Sequence, residues 1–264
     1  MIPGKVNIVI PVFNQEEYIK QCMLSALSQT YENFDVTIVD DGSTDHSLAV
    51  INETRDYWNQ HDRPLLKSKR DDDPYVAGRW DFDGKLKIIS RENRGLSTSR
   101  NEGIQAGDGE FILPLDSDDF IDPTYLEKTV PKMSDPMVGI VSTDMQYEGL
   151  LHNRIPPKGL TLQAEMNSND LPVCSLIRRE AFEQVPNGYE TIFVDVAGST
   201  KVLGYEDWNL WLDILKRGWT VAVVNEPLFH YRVKPVSMIT QATKVHKGLV
   251  RLIHLLHPDL WRNA

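Results

Sequence analysis

The apolar positions follow two periods. Val6 to Val12 is a short β-branched run bounded by Pro11 and Asn14, and it reads as a buried strand. From Glu16 to Thr30, Tyr18, Ile19, Cys22, Met23, Leu24 and Leu27 recur at helical spacing. Phe34 to Val39 predicts a second buried strand, stopped by Asp40-Asp41-Gly42-Ser43. Ser43 or Thr44 is expected to cap the next helix, which carries Leu48, Val50 and Ile51. Leu86 to Ser90 predicts a third strand, Gly95 to Ala106 a helix, and Glu110 to Leu115 a fourth strand that again runs into acidic residues. Strands alternating with helices imply an α/β fold with a mostly parallel sheet and right-handed crossovers. Ligands of such sheets sit at the carboxyl ends of the strands, so Asn14, Asp40, Asp41 and Asp116 are expected on one rim.

The alternation lapses between Arg55 and Gly84, where Lys67-Ser68-Lys69-Arg70, Asp71-Asp72-Asp73-Pro74 and Trp80-Asp81-Phe82-Asp83 read as a solvated insertion. Beyond Val138, strand-like runs (Ile140 to Met145, Val221 to Val224) mix with helices such as Trp208 to Arg217. The tail, 241–264, sets Val245, Leu249, Val250, Leu252, Ile253 and Leu256 against Lys244, Lys247 and Arg251. This amphipathic helix is expected to pack on its own domain or on a partner subunit, with a membrane surface as the other use of such a pattern.

A chain of 264 residues that is 41% hydrophobic and 25% charged suits one large α/β domain. Its formal net charge of -10 argues against nucleic acid as a partner. A small anionic ligand is still allowed, because a divalent metal and local arginines neutralise phosphates within one pocket. Cys22 and Cys174 are the only cysteines, too few for a zinc constellation or a disulfide framework, and they point to a reducing compartment. No run reaches the roughly 20 apolar residues of a membrane span, and the first apolar stretch is too short for a signal-peptide core. The expectation is a cytoplasmic protein, at most peripheral to a membrane.

The candidate chemistry lies where strands end. In Leu115-Asp116-Ser117-Asp118-Asp119, two carboxylates one residue apart at a strand end can hold Mg²⁺ or Mn²⁺ while a diphosphate and water complete the shell. Solvated acidic turns share that spacing; the buried strand before it is what gives this one weight. In Val39-Asp40-Asp41-Gly42-Ser43-Thr44, an acidic residue can accept from a base N–H or a ribose hydroxyl. Glu92-Asn93-Arg94-Gly95 and Ser99-Arg100-Asn101 open a helix whose N-terminus and arginines suit phosphate.

Together these motifs resemble the inverting family-two glycosyltransferases of GT-A fold, a Rossmann-like, mostly parallel sheet flanked by helices with acceptor-side C-terminal elements. The resemblance rests on Ile10-Pro11-Val12-Phe13-Asn14, Val39 to Asp45, Asn93-Arg94-Gly95 with Ser99 to Gly103, and Leu115 to Asp119, in that order. It is dense over 6–130 and thinner up to about 240. It implies one domain over 1–240, with a nucleotide-sugar half at 1–130 and an acceptor-side half at 131–240. Carried over, Pro11, Phe13 and Asn14 form the first nucleotide loop, and Asp40 or Asp41 contacts uracil or ribose. Arg94, Arg100, Asp116 and Ser117 line the nucleotide, and Asp116 and Asp118 bind the metal, with His230 as a third candidate ligand.

Gly204-Tyr205-Glu206-Asp207-Trp208 resembles the family's Glu-Asp motif, which implies Asp207 as general base. Glu206, Trp208, Trp211 and Arg232 are implied on the phosphate or acceptor side, the tryptophans either stacking on a sugar or packing in the core. Phe229 to Val233 resembles a segment that closes over the donor diphosphate, but Lys234-Pro235-Val236 departs from the family's continuation.

The implied activity is transfer of a hexosyl or N-acetylhexosaminyl group from a nucleotide-sugar, a UDP-sugar by common usage, to a glycan or other hydroxyl acceptor. A homo-oligomer is compatible with it. The alternative is an inactive nucleotide- or glycan-binding scaffold of the same fold. A sugar-nucleotide pyrophosphorylase would need a Gly-rich basic loop after the first strand, and a dehydrogenase a G-x-G-x-x-G there; Val12 to Glu17 is neither.

Overall fold

The computed structural model describes residues 1–60, 84–196, 200–235 and 238–261. Most of the insertion read at 55–84 lies outside the described residues. The first half alternates: β1 (Ile2–Val12), α1 (Ile19–Leu27), β2 (Phe34–Asp40), α2 (Ser47–Gln60), β3 (Leu86–Ser90), α3 (Leu96–Ala106) and β4 (Gly109–Pro114). There follow β5 (Phe120–Ile121), α4 (Tyr125–Thr129), β6 (Val138–Gly149), β7 (Arg154–Ile155), α5 (Leu162–Glu165), β8 (Leu176–Arg178) and α6 (Arg179–Glu183). β9 (Phe193–Val196) and β10 (Thr200–Leu203) pair as a separate antiparallel ribbon. The chain continues with α7 (Glu206–Leu215), β11 (Thr220–Val233), α8 (Met238–Ala242), α9 (His246–Leu256) and α10 (Pro258–Trp261).

The large sheet has the order β3-β2-β1-β4-β8-β6-β11-β5, with β7 beside β6. β1 lies parallel to β2 and β4, β2 to β3, and β6 to β11. The short β8 runs antiparallel between β4 and β6. β1 reads as a nearly continuous apolar run because both of its faces are covered. Val6, Ile8, Ile10 and Val12 join the cluster containing Ile19, Met23 and Leu27 of α1, while Val9 joins one containing Ile104 and Trp211. Gly103 makes the second face possible: a Cβ there would stand 2.3 Å from Val9 Cγ1, so only glycine lets α3 sit this close to the sheet.

The tail helix packs on its own domain. Leu249 and Ile253 of α9 are buried in a third cluster with Ile192, Trp208, Leu212 and Ala242. Among the described residues no helix is long and apolar enough to cross a membrane.

Two local expectations need correction. Ser43 and Thr44 do not cap α2, which begins at Ser47 and whose Ser47 N–H donates to Asp45 Oδ1 at 2.9 Å. The strand expected at Val221 to Val224 runs on to Val233. A register shift at Pro227 restores its parallel pairing with β6, and β5 takes its other edge at Phe229 and His230. The segment resembling a closing loop is thus, up to Val233, part of the sheet.

Candidate active site

The strand register sets the rim. Val12 lies opposite Asp40, Asp41 N–H donates to Val12 O at 2.7 Å, and Leu115 N–H donates to Val9 O at 2.9 Å. The chain leaves β1, β2 and β4 side by side, as the alternation requires. Asn14 adopts a left-handed conformation with φ 53°, tolerated by its short polar side chain. Its Oδ1 accepts from the N–H groups of Thr44 at 2.8 Å and Asp45 at 3.3 Å, and its own N–H donates to Ser43 Oγ at 3.1 Å. Asn14 therefore ties the first loop to the second.

Both members of the acidic pair are buried and engaged with the rim itself. Asp40 accepts from Ser43 N–H at 3.2 Å and Ser90 Oγ at 2.9 Å. Asp41 accepts from the N–H groups of Arg94 at 2.7 Å and Gly95 at 2.9 Å, and from the Arg91 guanidinium. Gly95 stands at φ 91°, so Asp41 fixes a turn that glycine permits at the head of α3. Arg94 is largely exposed, with Nη1 3.2 Å from Glu102 Oε1. Pro11 is buried in β1, whereas Phe13 is 45% exposed, an aromatic face open to solvent at the rim.

The turn after β4 presents Asp116 and Asp118 partly exposed, with Ser117 and Asp119 buried. Asp118 Oδ2 receives Lys234 Nζ at 2.5 Å, and its carbonyl accepts from Arg232 Nε at 2.8 Å. Asp119 Oδ1 accepts the Arg232 N–H at 2.7 Å; its Oδ2 has no partner among the described residues. Burial and the charges of Asp118 and Asp116 push Asp119 well above the usual carboxylate range. The Arg232 guanidinium lies over the rings of Tyr18 and Phe120 and donates from Nη2 to Gln21 Oε1 at 2.7 Å. The end of β11 and the residue after it thus deliver two cations, Arg232 and Lys234, to the turn.

Arg100 joins this turn to the second half of the chain. Its side chain is 1% exposed, and it donates from Nη2 to Asp116 Oδ1 and from Nη1 to Glu206 Oε1, both at 2.6 Å. Its guanidinium also lies 5.0 Å from the centre of the Tyr189 ring. Glu206 opens α7, whose head is set by Tyr205 at φ 65°, a strained conformation for an aromatic residue. Tyr205 is held edge-on to Trp208, with its hydroxyl 2.7 Å from His246 Nδ1 of α9.

Asp207 is the next residue of α7. Its Oδ1 accepts from Trp208 N–H at 2.8 Å and from Asn169 Nδ2 at 3.1 Å. Burial, and then the Glu206 charge, push its carboxyl up to about 7, against the opposing pull of Arg100, the Trp208 amide and Asn169. A carboxyl poised near neutrality can take a proton from a hydroxyl at the pH where it works.

The tryptophans belong to the core. Trp208 is 3% exposed and donates from Nε1 to Glu165 O at 2.7 Å; Trp211 is 0% exposed and donates to Leu171 O at 3.2 Å. Neither has a face left for a sugar, so the stacking use is corrected to packing. The metal set Asp116, Asp118 and His230 is likewise not assembled. Among the described residues no three His, Cys, Asp or Glu side chains converge on one ion. His230 stacks on Phe120 at 4.4 Å and pairs through Nδ1 with Glu148 Oε1 at 2.9 Å.

Sequence reasoning missed Lys234, Asn169, Glu165 and Arg91. Lys234 had a signal, since it begins the departure from the family pattern. Asn169 and Glu165 lie in an undistinguished stretch and reach Asp207 only through the packing of α5 on α7. Glu165 is fully buried, and its carboxyl makes no hydrogen bond of ordinary geometry among the described residues. Burial and then the charges of Asp207 and Asp170 push it up to about 8.

A family model described as Glycosyl transferase family 2 matches residues 7–186, and the chain belongs to that family. It is 29% identical over 159 residues to glycosyltransferase GlyA of Streptococcus pneumoniae, an alignment covering 59% of this chain and 19% of that protein's length. The fold is similar to that of residues 1–349 of Staphylococcus aureus TarS in complex with UDP-GlcNAc. The TM-score is 0.68 at 18% identity, covering 96% of this chain and 66% of that one. It is also similar to Mycobacterium tuberculosis glucosyl-3-phosphoglycerate synthase in complex with Mn²⁺, UDP and glucosyl-3-phosphoglycerate. There the TM-score is 0.57 at 15% identity, covering 96% and 78% of the two chains.

Proposed function

We propose that the chain is an inverting glycosyltransferase that moves a sugar from a UDP-sugar to a hydroxyl acceptor, with Asp207 as general base. The observation that carries this reading is the Arg100 bridge. A buried guanidinium bonded to both Asp116 and Glu206 sets the acidic turn, where a diphosphate leaves, beside the residue whose carboxyl is held near neutrality. The UDP and UDP-sugar complexes of the two similar structures support the choice of donor.

In the reaction the acceptor oxygen attacks the anomeric carbon from the face opposite the diphosphate. As that C–O bond forms, its proton passes to Asp207 Oδ2, and the bond to the diphosphate oxygen breaks with its electron pair leaving on UDP. Lys234 and Arg232 stand at the Asp118 turn as cations for the departing diphosphate. Phe13 offers its exposed ring to the base.

Asp116 and Asp118 fit a divalent ion as a pair. Both are hard oxygen donors on one turn; the bonds to Arg100 and Lys234 engage Oδ1 of the first and Oδ2 of the second, leaving the other oxygen of each for a ligand. Mn²⁺ or Mg²⁺ held there would neutralise charge on the leaving diphosphate, as a Lewis acid does in such sites.

Calorimetric titration of UDP with and without Mn²⁺ tests the donor site: metal-dependent binding lost in Asp118→Ala is expected, and no UDP binding by folded protein would refute it. For the base, Asp207→Asn is expected to keep UDP binding while transfer falls by about a thousandfold. Near-normal transfer in that variant would remove Asp207 from the mechanism.

A further inference from the structure

Three side chains in the first two turns of α7 grip one short stretch of chain. Trp208 Nε1 donates to Glu165 O at 2.7 Å, Trp211 Nε1 donates to Leu171 O at 3.2 Å, and Asp207 Oδ1 accepts from Asn169 Nδ2 at 3.1 Å. Two buried indoles thus fix the backbone on both sides of Asn169, so its amide is aimed at the carboxylate by the core. The arrangement leaves unusual residues behind. Asn169 Oδ1, Tyr189 Oη and Arg100 Nε are all buried with no hydrogen-bond partner among the described residues. Buried polar atoms are nearly always satisfied, and here several orphans surround one carboxylate.

We propose that Asn169 is the positioning residue of the catalytic base: with the Trp208 amide it holds Asp207 Oδ1, so that Oδ2 alone is presented to the acceptor hydroxyl. The inference rests on the reading of Asp207 as the base. Both donors reach the same oxygen. The carboxylate plane is therefore set by two N–H groups rather than by solvent, and one lone pair is left directed at the incoming proton. The groups that set the protonation of Asp207 come from every side. Glu206 and Tyr205 lie at the head of its own helix, Arg100 on α3, Glu165 on α5, Asn169 on the gripped stretch, and Tyr189 ahead of β9. Asn169 is the uncharged side chain among them that hydrogen-bonds the carboxylate directly. Its loss should therefore act on the ionised form of Asp207 more than on the fold.

The test is a ¹³C-carboxyl NMR titration of aspartate-labelled protein, the Asp207 signal being assigned by its absence in Asp207→Asn, run beside UDP release from UDP-GlcNAc with water as acceptor. Removing a hydrogen bond made to the charged form raises a carboxyl pKa. Asn169→Ala should raise the Asp207 midpoint by about one pH unit and slow UDP release at neutral pH by about a hundredfold, with UDP affinity within about threefold of wild type. Asn169→Asp has nearly the same shape and serves if the alanine variant unfolds. There two carboxyls share the site, and the midpoint should rise further. An unchanged Asp207 midpoint in the folded variant overturns the proposal, as does UDP release by the folded variant at the wild-type rate. The two readings fail separately: normal UDP release by Asp207→Asn defeats the base, while a fixed Asp207 midpoint defeats only Asn169.

Discussion

Arg100 is the joint on which the site depends, and replacing it with methionine isolates that dependence. The wild-type guanidinium is 1% exposed and bonded to two carboxylates, Glu206 at 7% and Asp116 at 25% side-chain exposure. Methionine fills much of the same volume but leaves Glu206 buried with its charge uncompensated. Breaking a buried ion pair from one side costs about 3–5 kcal/mol; the partly solvated Asp116 adds less. For a domain of this size that is a fall in Tm of about 10 °C. Urea denaturation followed by tryptophan fluorescence, with calorimetry, measures it. Arg100→Lys keeps the charge but cannot span both carboxylates, and is expected to recover only part of the loss. The decisive control is Arg100→Met with Glu206→Gln, which removes the orphaned charge and should restore about half the stability. An Arg100→Met protein within about 1 kcal/mol of wild type, or a double variant no better than the single, would show that the bridge is not what joins the halves.

Two other outcomes follow from the same site. Glu165 is raised from 4.5 to about 8, so the folded state holds its proton where the unfolded chain has lost it; this contribution is whole below pH 4.5 and is lost as pH rises to 8. Glu165→Gln removes the titration, so its stability advantage over wild type should be small at pH 5 and about 3 kcal/mol at pH 7 in urea midpoints; a difference flat with pH would refute the account. Lys234→Ala should weaken UDP binding in the presence of Mn²⁺ about tenfold in calorimetry while leaving Tm within about 2 °C. Unchanged affinity would show that Lys234 serves only to neutralise Asp118.

The first half of the fold was legible because its determinants are local. Apolar runs of strand length, helical spacing in α1, and acidic or glycine turns at each strand end place Asn14, Asp40, Asp41 and Asp116 on one rim. Roles within that rim were less legible. Residue type marks Asp40 and Asp41 as ligand contacts, yet both spend their carboxylates on the turns around them. The same holds for Trp208 and Trp211: spacing along α7 gives their faces, but only the packing of α5 and α9 decides that both faces are covered.

By itself the sequence determined the order of elements, the rim and the acidic motifs at 116–118 and 206–207, because each depends on neighbours within a few residues. Tertiary structure alone decided what those motifs do to one another. Arg100 and Glu206 are brought together from distant parts of the chain, as are Lys234 with Asp118 and Asn169 with Asp207. A carboxyl held near neutrality is a property of burial and of charges delivered by other elements. Hydrophobic periodicity carries no record of which polar residue another helix will bring against it.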